Sequence, residues 1–197
     1  MMNPISPEAI AQLFTEARTF HAWLPQAVSD EKLQEVYDLM KWGPTSANCC
    51  PARIVFVKDG PEKEKLVGSL APGNIDKVKA APVTAIVATD ELFYDQIPKL
   101  FPAAPQFREM FASNKDFAEK SAFRNGSLQG AYFILAARAV GLDCGPMSGF
   151  DNKKLDDAFF AGSSWKSNFI CNLGYGDRSK LYPRGPRLAF DEACRIV

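Results

Sequence analysis

Four polar stretches carry the residue types that could hold a small charged ligand: ARTFHAW at 17–23, GPTSAN at 43–48, GPMSGFD at 145–151 and YPRGPR at 182–187. The first and last supply cations: Arg18, Arg184 and Arg187, with His21 beside them. The middle two supply backbone N–H groups, hydroxyls and an amide. Cations combined with exposed N–H groups suit a phosphate-bearing cofactor with a polar heterocyclic edge. Solvated arginines and ordinary Gly/Pro turns would read the same way, so the residues alone leave both interpretations open.

Other chemistries find little support. No Gly-x-Gly-x-x-Gly follows an expected strand, and neither a phosphate-binding P-loop nor a Gly-x-Ser-x-Gly elbow occurs. No pair of carboxylates stands out, so no catalytic side chain is assigned. Five cysteines are present, Cys49, Cys50, Cys144, Cys171 and Cys194, with a single histidine and no zinc-type spacing. No metal site is expected. The adjacent Cys49-Cys50 pair could close only a strained, easily reduced disulfide, and free thiols are the default reading. Cys144 reads as a small buried filler.

These stretches need a scaffold. The chain has 197 residues, which is one domain (1–197) by length, with 47% hydrophobic and 23% charged residues. Basic and acidic residues balance at 23 each, which argues against a nucleic-acid partner. No stretch is apolar enough for a membrane span, and the start MMNPISPEAIAQLF does not read as a secretory signal, so a cytoplasmic location is expected.

Ser6-Pro7-Glu8 opens a first helix, and Ser29-Asp30-Glu31 a second that Gly43-Pro44 ends. The β-branched run 54–57, the run 82–89 and the stretch 168–176 read as strands. Residues 62–70, 116–140 and 151–160 read as helices, with a last short helix near the C-terminus. Phe117, Leu128, Ala131, Tyr132, Leu135 and Ala139 are expected on the apolar face of the long one. Residues 91–113 read as irregular or short helices. Phe101, Phe107 and Phe111 within them are either a lid or plain packing. Helices around a few buried strands give an α+β layer fold.

The four stretches, in this order, resemble the FMN-binding framework of the nitroreductase family over about residues 14–190. That family's first signature, Arg-Ser-x-Arg ahead of an aromatic residue, is matched by Arg18-Thr19-Phe20-His21 and Trp23. Its second, Pro-Ser-x-x-Asn after a helix, is matched by Pro44-Thr45-Ser46-Ala47-Asn48. Asn74, Lys77 and Ala81-Pro82 match a third element, Asn125 a polar residue early in the central helix, and GLDCGPMSGFD a Gly-Leu…Pro-x-x-Gly-Phe turn. Arg187, with Arg184, matches a late basic cluster. The wording of YDLMKWGPTSANC, PARIVF, GPMSGFD and CNLGYGD is similar to the HadB/RutE subfamily of malonic semialdehyde reductases.

The resemblance implies an α+β sandwich with a mostly antiparallel sheet, intertwined as a homodimer, with FMN at each subunit interface and NADH or NADPH as co-substrate. It implies reduction of a small molecule: malonic semialdehyde, or a nitro or quinone compound. A flavin-binding protein without turnover is a third possibility. One subunit would contribute Arg18, Thr19, His21, Asn74, Lys77, Pro146, Met147, Ser148, Gly149, Arg184 and Arg187. The other would contribute Pro44, Thr45, Ser46, Asn48 and Asn125. Where many relatives continue Asn-x-Gln-Pro-Trp, this chain has Asn48-Cys49-Cys50-Pro51-Ala52.

Overall fold

A computed structural model describes residues 3–197. Its centre is a single antiparallel sheet of β1 (Ala52–Lys58), β2 (Val83–Asp90), β3 (Asp143–Met147) and β4 (Trp165–Gly174), in the order β1-β2-β4-β3. Every residue of β2 is buried. A strand covered on both faces loses polar alternation, which is why 82–89 reads as a continuous apolar run. Val83, Ala85 and Val87 point into one core, Ile86 and Ala88 into the other. β3 was not legible: Gly145 and Pro146 are poor strand formers, tolerated because β3 lies at the sheet edge.

One face is covered by α2 (Asp30–Met40) and α7 (Lys115–Ala139), which add Val36, Met40 and Phe133 to the first core. The other face is covered by α3 (Pro61–Val67), α4 (Pro72–Ala80) and α8 (Asn152–Phe159), which add Leu66, Val78 and Leu155. This is the layered α+β sandwich that the sequence implied. α1 (Pro7–Ile10) is shorter than expected and passes into a wide π-type turn at Ala11–Thr15. The Ser6 hydroxyl accepts the Ala9 N–H there, as its sequence position predicted. The tail ends with a four-residue α9 (Phe190–Ala193).

The expected apolar face of α7 needs correction. Its buried residues include Ala118, Ala122, Gly126, Gly130 and Ala136, with Ser121, Asn125 and Gln129 among them. Phe117, Leu128 and Tyr132 face outward instead. The cause is close approach to the sheet. A Cβ at Gly126 would lie 2.2 Å from the Thr89 side chain, and one at Gly130 would lie 2.5 Å from the Phe169 ring.

A third cluster joins α5 (Ile97–Leu100), α6 (Phe107–Ala112) and the start of α7 around Phe93, Ile97 and Phe111. Phe111 stacks on Phe117 with ring centroids 5.2 Å apart and meets Phe93 edge-on at 4.9 Å. Phe101 and Phe107 pair with centroids 5.9 Å apart. The Phe-rich stretch packs against itself and the start of α7.

Candidate functional site

Residues 18–23 run along the outer side of β3. Thr19 forms a bridge with Cys144, and the Phe20 N–H donates to the Cys144 carbonyl at 2.9 Å. That backbone path fixes Arg18 and His21 near the start of β3. The chain after β4 returns to the same place. The Tyr182 ring stacks on His21 with centroids 4.3 Å apart and planes 12° from parallel. Arg18 donates to the Tyr182 carbonyl. Arg184 donates to the carbonyls of Thr15 (2.8 Å) and Ala17 (3.0 Å). Arg18, His21 and Arg184 thus converge from opposite ends of the chain. Arg187 stands apart: it is exposed and its guanidinium bonds the carbonyls of Gly185 and Pro186 in its own turn.

A second group gathers at the other end of β3, a strand about 13 Å long at the usual rise per residue. Pro146 and Met147 close the strand, and Ser148 and Gly149 form the turn after it. The Gly149 carbonyl accepts the Ala71 N–H at 3.0 Å and the Asn74 amide at 3.0 Å. Lys77 Nζ lies 3.2 Å from Asn74 Oδ1. Asn74 and Lys77 are neighbours because α4 puts them three residues apart on one face. Gly149 is required here, since a Cβ would sit 2.6 Å from Asn74 Nδ2. The Gly149 N–H has no acceptor among the described residues.

Pro44, Thr45, Ser46 and Asn48 lie elsewhere, on the loop between α2 and β1. Ala47, Asn48 and Cys50 have φ of 51°, 48° and 39°, an uncommon left-handed backbone for residues with a Cβ. Several contacts hold it. The Ser46 N–H donates to Asn125 Oδ1 at 2.8 Å, Cys50 N–H to the Thr45 hydroxyl at 3.2 Å, and the Asn48 amide to the Leu100 carbonyl at 2.7 Å. Cys49 is fully buried in the aromatic cluster. Asn125 is buried too, and its Nδ2 donates to the Ser121 carbonyl at 2.9 Å. Both ends of its amide are engaged, so in this chain Asn125 anchors the loop.

This loop borders a cavity of about 940 Å³ between α2 and β1, whose wall includes Tyr37, Met40, Pro44, Asn48 and Cys50. β1 and β3 are opposite edges of the sheet. Three strand spacings separate them, roughly 14 Å. Within one chain, then, the expected residues other than Arg187 fall into two sets, one along β3 and one on the loop before β1.

A family profile described as "Nitroreductase family" matches residues 2–175. This chain belongs to the nitroreductase family. The chain is 57% identical over 191 residues to HadB of Ralstonia pickettii, provisionally named an NADH dehydrogenase/NAD(P)H nitroreductase, covering 96% of this chain and 97% of that protein. Among solved structures, the nitroreductase-type protein ydfN of Bacillus subtilis superposes with a TM-score of 0.86 at 23% identity, covering 98% of this chain and all of that one. A protein described as a nitroreductase in complex with FMN, from Exiguobacterium sibiricum 255-15, gives 0.86 at 18% identity over 100% of both chains. These two likenesses establish the nitroreductase fold.

Two features of this family member were hidden in the sequence. α4 lacks a polar N-cap and carries one buried side chain, so its helical pattern is faint; Pro72 at its start and the Asn74/Lys77 spacing were the usable signals. The Tyr182–His21 stack joins residues 161 positions apart, and no local pattern announces it.

Proposed function

We propose that the protein is an FMN-dependent NAD(P)H oxidoreductase that works in the cytoplasm as a homodimer of single-domain subunits. The observation that carries this reading is the donor arrangement along β3. Arg18, His21 and Arg184 gather at one end; Lys77, Asn74 and the unpaired Gly149 N–H gather at the other. An elongated ligand with a phosphate at one end and a hydrogen-bonding heterocycle at the other matches that donor set. Arg18 presents a guanidinium fork suited to a phosphate dianion, with Arg184 and Arg187 adding positive charge. Lys77, oriented by Asn74, faces the pyrimidine edge of the ring, where a cation favours the reduced state's negative charge. The Ser148-Gly149 turn brings backbone N–H close to the ring because no side chain intervenes at Gly149. FMN, when bound, supplies hydride transfer from NAD(P)H to the second substrate at its ring. No side chain is assigned as acid or base.

A second copy supplies Pro44, Thr45, Ser46 and Asn48, with Asn125 holding that loop's shape. Two observations support a homodimer: the two sets lie on opposite sheet edges, and large apolar side chains on α2 and α7 point outward. Trp42, just past α2, is 79% exposed and Phe123 is 61% exposed.

The substrate is read as malonic semialdehyde, reduced to 3-hydroxypropionate as in pyrimidine degradation. The motif wording supports this. A broad nitro or quinone reductase is the second reading, favoured by the nitroreductase name of the R. pickettii relative. Purified protein is expected to carry visible flavin absorbance, or to acquire it with FMN, and to bleach anaerobically with NADH or NADPH. Protein that stays colourless after FMN incubation overturns the proposal. Bound flavin that neither nicotinamide bleaches would make this a flavin-binding protein without turnover. Steady-state rates with malonic semialdehyde against a nitroaromatic decide between the substrates.

A further inference from the structure

Two polar side chains that the flavin reading leaves unused are completely buried in the sheet. Thr84 on β2 and Asn172 on β4 are cross-strand partners, and each is 0% exposed. The Thr84 hydroxyl donates to Asn172 Oδ1 at 2.7 Å, and Asn172 Nδ2 donates to the Lys77 carbonyl at 2.8 Å. A hydroxyl and an amide at such positions are costly to bury unless bonded, and apolar residues would fill them without that cost. Here both bonds lead to one place, a carbonyl near the C-terminal end of α4 where a helix leaves acceptors unpaired.

At its ends α4 is held by the Ala71 N–H, which donates to the Gly149 carbonyl, and by Lys63, which donates to the Ala81 carbonyl; between them it has few side-chain restraints. It spans nine residues, buries only the Val78 side chain, and has no side-chain cap at its N-terminus. A helix that short has little stability of its own, so its rotation on the sheet depends on tertiary contacts. From Lys77 the connections continue outward: Lys77 Nζ to Asn74, and Asn74 to the Gly149 carbonyl. A line of bonded groups therefore runs from the sheet interior, Thr84–Asn172–Lys77–Asn74, to the turn that closes the site.

We infer that Asn172, oriented by Thr84, is a positioning residue that pins α4 so that Lys77 and Asn74 face the pyrimidine edge of the flavin. The inference rests on the FMN reading above. Neither residue touches the ligand; both act through the direction of Lys77.

The test measures the FMN dissociation constant by fluorescence titration and the flavin midpoint potential, for Thr84→Val, Thr84→Ser, Asn172→Leu and Lys77→Met and for the doubles with Lys77→Met. Thr84→Val and Asn172→Leu are each expected to weaken FMN about tenfold, the loss of one well-made bond to a charged partner, and to shift the potential more negative. In the Lys77→Met background both effects should shrink to the part that Asn74 carries, because the cation they aim is gone. Thr84→Ser keeps the hydroxyl and should match the parent. If Asn172→Leu does not fold, the Thr84→Val and Thr84→Ser pair decides. Effects that persist in full on Lys77→Met, or parental values in Thr84→Val and Asn172→Leu, overturn the positioning role. If Lys77→Met itself equals the parent in both measurements, the placement of Lys77 is wrong and this inference falls with it. Lys77→Met weakened beside parental Thr84→Val and Asn172→Leu removes the positioning role alone.

Discussion

Cys49 and Cys50 are the most conspicuous residues of the sequence, and the structure separates them. Cys49 fills a gap in the aromatic cluster, and burial pushes its thiol up to about 12. Cys50 is half-buried at the cavity wall. A raised thiol pKa means the folded state holds the proton more tightly than the unfolded state. Its stabilising effect is complete below the ordinary value of 9.0 and is lost as pH rises from there towards about 12. Cys49→Ala is therefore expected to flatten the alkaline side of a urea-stability profile, while lowering stability at pH 7 by about 1 kcal/mol for the lost packing. Thiol labelling at pH 8 in the native protein should reach exposed Cys194 and spare Cys49, Cys144 and Cys171. The double change of Cys49 and Cys50 to Ala should leave turnover largely intact. The cations rank by their surroundings. Arg18→Ala should raise the FMN dissociation constant at least about tenfold. Arg187→Ala should cost less, because that guanidinium is exposed and bonded to its own turn; flavin titration of both variants checks the order.

At the scale of elements, the left-handed loop 44–50 and the long helix α7 are one construction. The loop's Ser46 N–H is satisfied by Asn125, nearly three turns into α7 and next to Gly126, where the helix meets the sheet. Asn125→Leu leaves that N–H without its acceptor and should cost about 1–3 kcal/mol, read by urea unfolding, with loosening of the loop. α7 can lie so close only because Gly126 and Gly130 face Thr89 and Phe169. Gly130→Ala should destabilise by about 1–3 kcal/mol through overpacking. The sequence made α7 itself obvious, but the face marked by its large apolar residues is not the one that packs on the sheet. The larger residues turn outward, and the small ones were the true contact surface. α2, by contrast, was legible at its start, where Ser29 caps it; of its apolar residues Leu33, Val36 and Met40 are buried, while Tyr37 is exposed.

At the scale of the molecule, one chain leaves the residues proposed to face the flavin in two sets on opposite sheet edges. Sedimentation is expected to give twice the chain mass. Phe123→Asp with Leu128→Asp should yield monomers that fold but bind FMN poorly, because exposed apolar side chains on α7 are the surface a second copy would cover. Monomers that retain full flavin affinity would show that one chain suffices.

The sequence by itself determined the local signals: capped helix starts, the apolar strands, the lack of any nucleophile or metal pattern, and the ordered stretches from Arg18 to Arg187 whose resemblance named the family. Each depends on neighbouring residues, through capping bonds, side-chain periodicity or motif spacing. Only the tertiary structure decided that Gly145-Pro146 stands at a sheet edge, that Tyr182 closes over His21, that Asn125 anchors a loop, and that Thr84 and Asn172 brace Lys77 from inside the sheet. Those facts depend on contacts between residues far apart in the chain. Their partners are fixed by strand order and helix approach, and no local pattern encodes them.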